Sequence, residues 1–266
     1  MKEIKKVRLF VNHNIKSRQV EKITRDALLK EELEITEDNE FDLGIAIGGD
    51  GSFLRMVNES GFQKDALYVG INAGTLGFAQ DINAQEVETF IGSIKKKDYS
   101  FEEIGIQNVE IHSKEGITKF QCLNEIVLRE EELNTIHMDT YIDGVLLENF
   151  VGDGLLISTS FGSTAYNLSY GGTIVDNAFD TLQITPIAPM SNKNYRSLAN
   201  SVVVPATRTI TIIPEPSCNN MLVTTDGRNN FYTEVTKIET SIKSHIHLIR
   251  KNDYNYIRKI NDKFIK

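Results

Sequence analysis

The sequence has no excess of positive charge: 37 acidic side chains against 29 basic ones leave a net charge of -8, with a pI of about 5.3. A duplex nucleic-acid binder or a protein seated on an anionic membrane needs a basic face, so both classes are disfavoured. Long apolar runs are missing too. No stretch approaches the roughly 18 residues of a membrane span, and the lysines at 2, 5 and 6 precede only VRLFVNH, too short for a secretory signal. A cytoplasmic protein without nucleic-acid or membrane partners is the expectation. Cysteine is scarce: Cys122 and Cys218 form neither CxxC nor a zinc spacing and read as ordinary reduced thiols. His245 and His247 alternate in a strand pattern, but two ligands without a third read as a solvated strand face. Three phosphate and nucleophile motifs are also lacking, namely GxxxxGK[ST], the GxGxxG spacing, and GxSxG around Ser160 and Ser163.

What is present divides near residue 100. The runs VRLFV (7–11), LGIAI (43–47) and LYVGI (67–71) suit a parallel sheet covered on both faces. Helical patterns separate them: Val20, Ile23, Ala27 and Leu28 within 18–34, then Phe53, Leu54 and Val57 between Ser52 and a stop at Gly61. Asn83 and Glu86 form a capping-box pattern ahead of Val87, Phe90, Ile91 and Ile94 at i, i+3, i+4, i+7. This predicts an α/β N-terminal domain with a doubly wound parallel sheet over 1–100. From 101 the period falls to two at Ile104, Ile106, Val109 and Ile111, and YIDGVLL (141–147) signals a hairpin at Asp143–Gly144. A mostly-β C-terminal domain over 101–266 follows, its last residues forming a short amphipathic tail with the option of docking back on the first domain. REEEL (129–133) reads as an exposed acidic loop.

IAIGGDGSFLR (45–55) carries chemistry. Gly48, Gly49 and Gly51 permit close approach, and a helix beginning near Ser52 points its N-terminus at the turn, so the turn can seat phosphate. A carboxylate there repels phosphates unless it binds a bridging metal or takes a proton from an attacking hydroxyl, and both roles suit phosphoryl transfer. By itself Asp50 reads equally as a turn or N-cap residue. A second segment, GDGLLISTSFGSTAYNLSYGG (152–172), places Asp153 ahead of an apolar run and a long loop of small residues, from which TAYNLS can start a helix. Two glycine-bracketed aspartates, one per domain, suggest a ligand site between the domains.

With GINAGTLGF (70–78), LNEIVL (123–128) and QITPIAP (183–189), these segments give a sequence that resembles the bacterial NAD kinases, in family order over most of the chain. GGDG alone is shared with lipid kinases and phosphofructokinases; the TAY segment points to the NAD kinase branch. The resemblance implies transfer of the ATP γ-phosphoryl group to the 2′-hydroxyl of the adenosine ribose of NAD, with a divalent metal such as Mg2+, in a homodimer or homotetramer. It implies Asp50 as catalytic base beside Gly51. Asn124 and Glu125 would contact the ribose, and Asp153, Thr164, Ala165, Tyr166, Asn167 and Ser169 would lie around the dinucleotide. Phe78 and Ala188 would line the adenine or nicotinamide pocket. Ser52 replaces the threonine of many relatives, and Val151 stands where some carry a basic residue. Arg55, Lys193 and Arg196 are further phosphate candidates. A noncatalytic NAD(P) sensor and a lipid kinase are the alternatives, the first needing no Asp50 and the second an apolar or basic docking surface.

Overall fold

The computed structural model describes residues 3–74, 77–132 and 134–265. Lys2, Thr75 and Leu76 of GINAGTLGF, Leu133 of REEEL and the terminal Lys266 lie outside them. The chain forms two compact units, residues 1–103 with 246–266, and residues 104–245.

The first unit contains β1 (Lys6–Val11), α1 (Ile15–Lys30), β2 (Glu34–Ile35), β3 (Leu43–Gly48), α2 (Asp50–Glu59), β4 (Leu67–Asn72), β5 (Gln80–Asn83) and α3 (Val87–Lys96). Its described strand pairs are parallel, with β3 between β1 and β4. All six residues of β3 are buried, which is why its sequence is apolar without alternation. In register across the sheet, Leu9, Ile45 and Val69 face one side, where they join Val20 and Leu28 of α1 and Phe90, Ile91 and Ile94 of α3 in one core. Gly44 lies on the opposite face, against Met56 of α2. The sheet is therefore covered by helices on both faces. Two assignments in the helices change. The buried stripe of α1 runs Ser17, Val20, Thr24, Ala27, Leu28, leaving Ile23 at its exposed rim. In α2 Met56 is fully buried beside Phe53 and Val57, and Leu54 is only half-buried. The capping box forms, with Glu86 accepting the Asn83 N–H at 3.0 Å.

The second unit is built from β6 (Ser100–Ser113, entering from the first unit), β7 (Gly116–Cys122), β8 (Glu125–Glu130), β9 (Ile136–Ile142), β10 (Val145–Gly152), β11 (Gly154–Thr159), the single turn α4 (Tyr166–Ser169), β12 (Thr181–Ile187), β13 (Val202–Pro205), β14 (Ile210–Pro214), β15 (Met221–Thr225), β16 (Arg228–Tyr232) and β17 (Lys237–Arg250). The end of β17 returns the chain to the first unit, which closes with α5 (Tyr256–Phe264). Six strands pair antiparallel in the order β13-β12-β11-β8-β15-β16, and β10-β9-β14-β17 form a second antiparallel set. Alternate residues of both sets, among them Leu128, Leu155, Ile157, Met138 and Ile212, share one core. The β9–β10 turn is Asp143–Gly144, both at positive φ, the backbone a type I′ hairpin requires. Both cysteines are free thiols.

Candidate functional site

In the first unit, Asp50 is the first residue of α2 rather than part of the turn before it. There its charge meets the positive end of the helix dipole. Its carboxylate accepts two backbone N–H groups from the segment after β4, Ala79 at 2.9 Å and Phe78 at 3.1 Å. Gly77 lets this segment approach: a Cβ there would lie 2.3 Å from Asp50 Oδ1 and 2.0 Å from Gln80 Oε1. A carboxylate offers about four lone-pair sites, so Asp50 is oriented yet retains acceptor capacity. The three glycines around Asp50 differ, Gly48 and Gly49 preceding α2 and Gly51 lying in its first turn. A Cβ on Gly48 would strike Ser52 Oγ at 2.3 Å, whereas Gly49 and Gly51 face open space. Among the described residues no side chain caps the N-terminus of α2. The ring of Phe78 packs against α5, with centroids 6.5 Å from Tyr256 and 5.3 Å from Phe264. Arg55 donates to the carbonyl of Val11.

In the second unit, the face of the six-stranded sheet opposite the core carries Glu125, Val127 and Arg129 of β8 beside Ser158, Leu156 and Gly154 of β11. Over this face lie the loop after β11 and α4. Glu125 is 5% exposed and its Oε2 has no hydrogen-bond partner. Burial, then the charge of Asp226, push its carboxyl up to about 8, while the Tyr166 N–H pulls the other way. At neutral pH it is therefore a protonated acid, able to donate as well as accept. Asp226, at positive φ in the β15–β16 turn, accepts the N–H groups of Leu123 and Asn124 at 2.9 and 2.8 Å. These bonds fix the half-exposed Asn124 beside Glu125.

Thr164 and Ala165 are half-exposed, Tyr166 and Ser169 exposed. Asn167 is fully buried and serves the scaffold: its amide donates to the Ser163 carbonyl at 3.2 Å and accepts from Thr185 Oγ1 at 2.6 Å. Asp153 and Ala188 are both exposed and sit at the other end of β11 from Glu125, about 13 Å away at the usual rise per residue. Between the ends runs a chain of contacts. Arg129, whose stem lies against Gly154, bonds the Tyr170 hydroxyl, which lies 2.8 Å from that of Tyr166.

Arg129 and Glu130 belong to β8, so the acidic-loop reading of 129–133 fails for them. Arg129, Tyr170 and Asp226 were missed by sequence reasoning; the only local signal was the Asp226–Gly227 turn dipeptide. Lys193 and Arg196 lie in an exposed loop, and Val151 is buried. His245 pairs with Asp180 at 2.8 Å and His247 with Glu103 at 3.4 Å, so each faces its own carboxylate.

An acid at the head of a helix, flanked by open glycines, on a helix-covered parallel sheet, together with a β unit bearing a buried protonated glutamate, describes a kinase-like two-unit enzyme. The chain belongs to the ATP-NAD kinase family: residues 3–99 match its N-terminal domain and 123–249 its C-terminal domain. It is 35% identical to an NAD kinase of Finegoldia magna over 97% of both chains, and 31% identical to one of Streptococcus gordonii over 98% of this chain and 96% of that one. Two solved structures share the fold. Yeast NADH kinase complexed with NADH superimposes at TM-score 0.88 and 21% identity, over 98% of this chain and 87% of the other. An Archaeoglobus fulgidus NAD kinase in complex with ATP does so at 0.75 and 22%, over 97% and 98%. No helix among the described residues is long and apolar enough to cross a membrane.

Proposed function

We propose that this chain transfers the γ-phosphoryl group of ATP to the 2′-hydroxyl of the adenosine ribose of NAD, giving ADP and NADP, with Asp50 accepting the hydroxyl proton. The observation that carries this is the Asp50 carboxylate itself, clamped by two backbone amides with acceptor capacity to spare. A ribose hydroxyl is a weak nucleophile, and an acceptor fixed in hydrogen-bond reach aligns it and takes its proton as the P–O bond forms. The uncapped helix N-terminus beside Gly49 and Gly51 suits phosphate oxygens. In this reading the first unit supplies the catalytic turn and seats the donor, and the second holds the dinucleotide. There the amide-and-acid pair of Asn124 and Glu125 contacts the ribose, and the strip through Tyr166, with Thr164, Ala165 and Ser169, leads toward Asp153 and Ala188. Phe78 borders the base.

The group of side chains among the described residues spaced closely enough to share an ion, Glu110, His112 and Glu239, lies on β6 and β17 and not at Asp50; in it Glu110 already pairs with His112 and Lys119. A hard divalent ion such as Mg2+, which binds through few carboxylates and substrate phosphates, fits a site with one acid. When bound it would neutralise the charge of the phosphates that hold it, leaving the Asp50 carboxylate as the acceptor of the hydroxyl proton. We further propose a homodimer or homotetramer: Val145 and Leu146 expose their side chains on β10, an edge strand of the sort a second copy would cover. A cytoplasmic setting would keep both free thiols reduced.

The test is NADP formation from NAD, ATP and Mg2+ by the purified protein and by Asp50→Asn. The variant is expected to bind NAD but lose at least about a hundredfold in rate. Wild type that binds NAD without turnover with any phosphoryl donor would replace the kinase with a sensor; an unimpaired Asp50→Asn would leave the kinase but remove Asp50 as its base.

A further inference from the structure

The segment that clamps Asp50 is itself clamped from the other side. Phe78 and Ala79 give their amides to Asp50. The next two residues belong to Lys259 of α5: its ammonium donates to the carbonyl of Gln80 at 2.6 Å and pairs with the Asp81 carboxylate. Asp81 also takes Arg250 at 3.0 Å, and Arg250 takes Glu102 at 2.6 Å. The ring of Tyr254 lies under both cations, 4.3 Å from the Arg250 guanidinium and 5.8 Å from the Lys259 ammonium. Lys259 and Asp81 side chains are only 7% and 4% exposed. Burial drives the Lys259 proton affinity down, and Asp81 opposes it. Phe78 is held as well, by Tyr256 and Phe264 of the same helix.

Docking a helix does not require this. Apolar side chains of similar volume hold a helix as well as a buried ion pair does, or better, because they incur no charge desolvation. A buried lysine bonded to a backbone carbonyl adds position: it fixes where one peptide sits and which way it faces. Here that peptide is one residue beyond the second amide on Asp50. Gln80 adds to the tightness, being fully buried with Gly70 and Gly77 so close that a Cβ on either would lie 3.0 Å from its Cα or 2.0 Å from its Oε1, so displacement of this segment meets close contacts.

We propose that Lys259 is a positioning residue for the phosphoryl transfer, acting through Gln80 and Asp81 to hold the Phe78 and Ala79 amides where they orient the Asp50 carboxylate. This rests on the reading of Asp50 as the base. Lys259 touches neither substrate nor reacting atoms; its effect passes through Asp50, and removing Asp50 must abolish it.

The experiment is a double-mutant cycle in NADP formation on the full-length chain, comparing wild type, Lys259→Met, Asp50→Asn and the double variant. Lys259→Met is expected to lower kcat about tenfold, with KM for NAD and for ATP changed less than about twofold. In the Asp50→Asn background the same substitution is expected to change kcat less than about twofold. An equal loss in both backgrounds, or a loss confined to KM, overturns the inference and leaves Asp50 in its role. Asp50→Asn as fast as wild type removes the base reading and this inference with it, a different pattern. Should Lys259→Met fail to fold, Lys259→Arg keeps a cation for Asp81 while replacing the compact ammonium that reaches the Gln80 carbonyl, and the same cycle applies. Amide hydrogen exchange supplies a reading without turnover: Phe78 and Ala79 are expected to exchange at least about tenfold faster in either variant, and unchanged protection overturns the proposal.

Discussion

Replacing Glu125 by glutamine should make the protein more stable at alkaline pH while changing little at acid pH. The carboxyl is buried among β8, α4 and the Asp226 turn, and it holds its proton up to about pH 8 in the folded chain. Unfolded, it releases that proton above an ordinary value of 4.5. Between these limits the folded state binds one more proton than the unfolded state, so stability falls as pH rises, by at most about 1.36 kcal/mol per pH unit. The loss is absent below pH 4.5, complete above about 8, and bounded at about 5 kcal/mol over the whole interval. Water entering the site and proton sharing with Asp226, itself raised by burial, reduce that bound. Glutamine has nearly the same shape and no proton to lose. Urea unfolding at pH 5.5, 7 and 8.5 is the assay, with unchanged m values as the control for two-state behaviour. Every other titration is common to both proteins and cancels in the difference. The gap between variant and wild type is expected to widen in favour of the variant by about 2–3 kcal/mol from pH 5.5 to 8.5. A gap that stays constant over that range would refute a protonated Glu125, and with it the hydrogen-bond donor assigned to the ribose contact.

Gly77→Ala drives a methyl group to 2.3 Å from Asp50 Oδ1 and is expected to lower kcat at least about tenfold; Gly49→Ala, which meets no protein atom, should leave the melting temperature within a few degrees while still weakening ATP-dependent turnover, so melting curves beside steady-state kinetics separate the two. Arg250→Met removes a cation that is 2% exposed, leaving Glu102 without its ion pair and Asp81 with Lys259 alone, and should cost about 3 kcal/mol in urea unfolding.

The parts of this molecule legible in the sequence are those whose cause is local. LGIAI reads as a strand buried on both faces because each of its residues is buried, and the Asn83–Glu86 capping box forms because donor and acceptor are three residues apart. Ile23 was misplaced because a helical stripe has a rim, and which residue falls on it depends on what packs opposite; Thr24 took the inner position by bonding its hydroxyl to the Val20 carbonyl. Arg129 was misread because three following glutamates outweighed the strand pattern before it. The long-range contacts left no trace in the sequence. Asp226 reaches Leu123 across 103 residues and Lys259 reaches Asp81 across 178, and no spacing rule connects such pairs. A single aspartate in a turn dipeptide and a lysine in an amphipathic tail look like surface residues until the fold buries them.

An acid amid glycines that we propose seat phosphate looks self-defeating, and the geometry resolves it. Asp50 stands at the positive end of α2, where a negative charge is favoured, and two backbone amides from across the turn hold its carboxylate. Charge-assisted hydrogen bonds of this kind spread the carboxylate's charge onto fixed donors. Gly49 and Gly51 meanwhile keep the helix head open. The turn can therefore offer attraction to phosphate oxygens from its backbone and an acceptor to a hydroxyl from its side chain. A free aspartate, swinging on two torsions, would spend part of its time repelling any phosphate seated beside it. Orientation is what makes the acid compatible with the glycines, which places the effective design in Phe78, Ala79 and the residues that hold them as much as in Asp50.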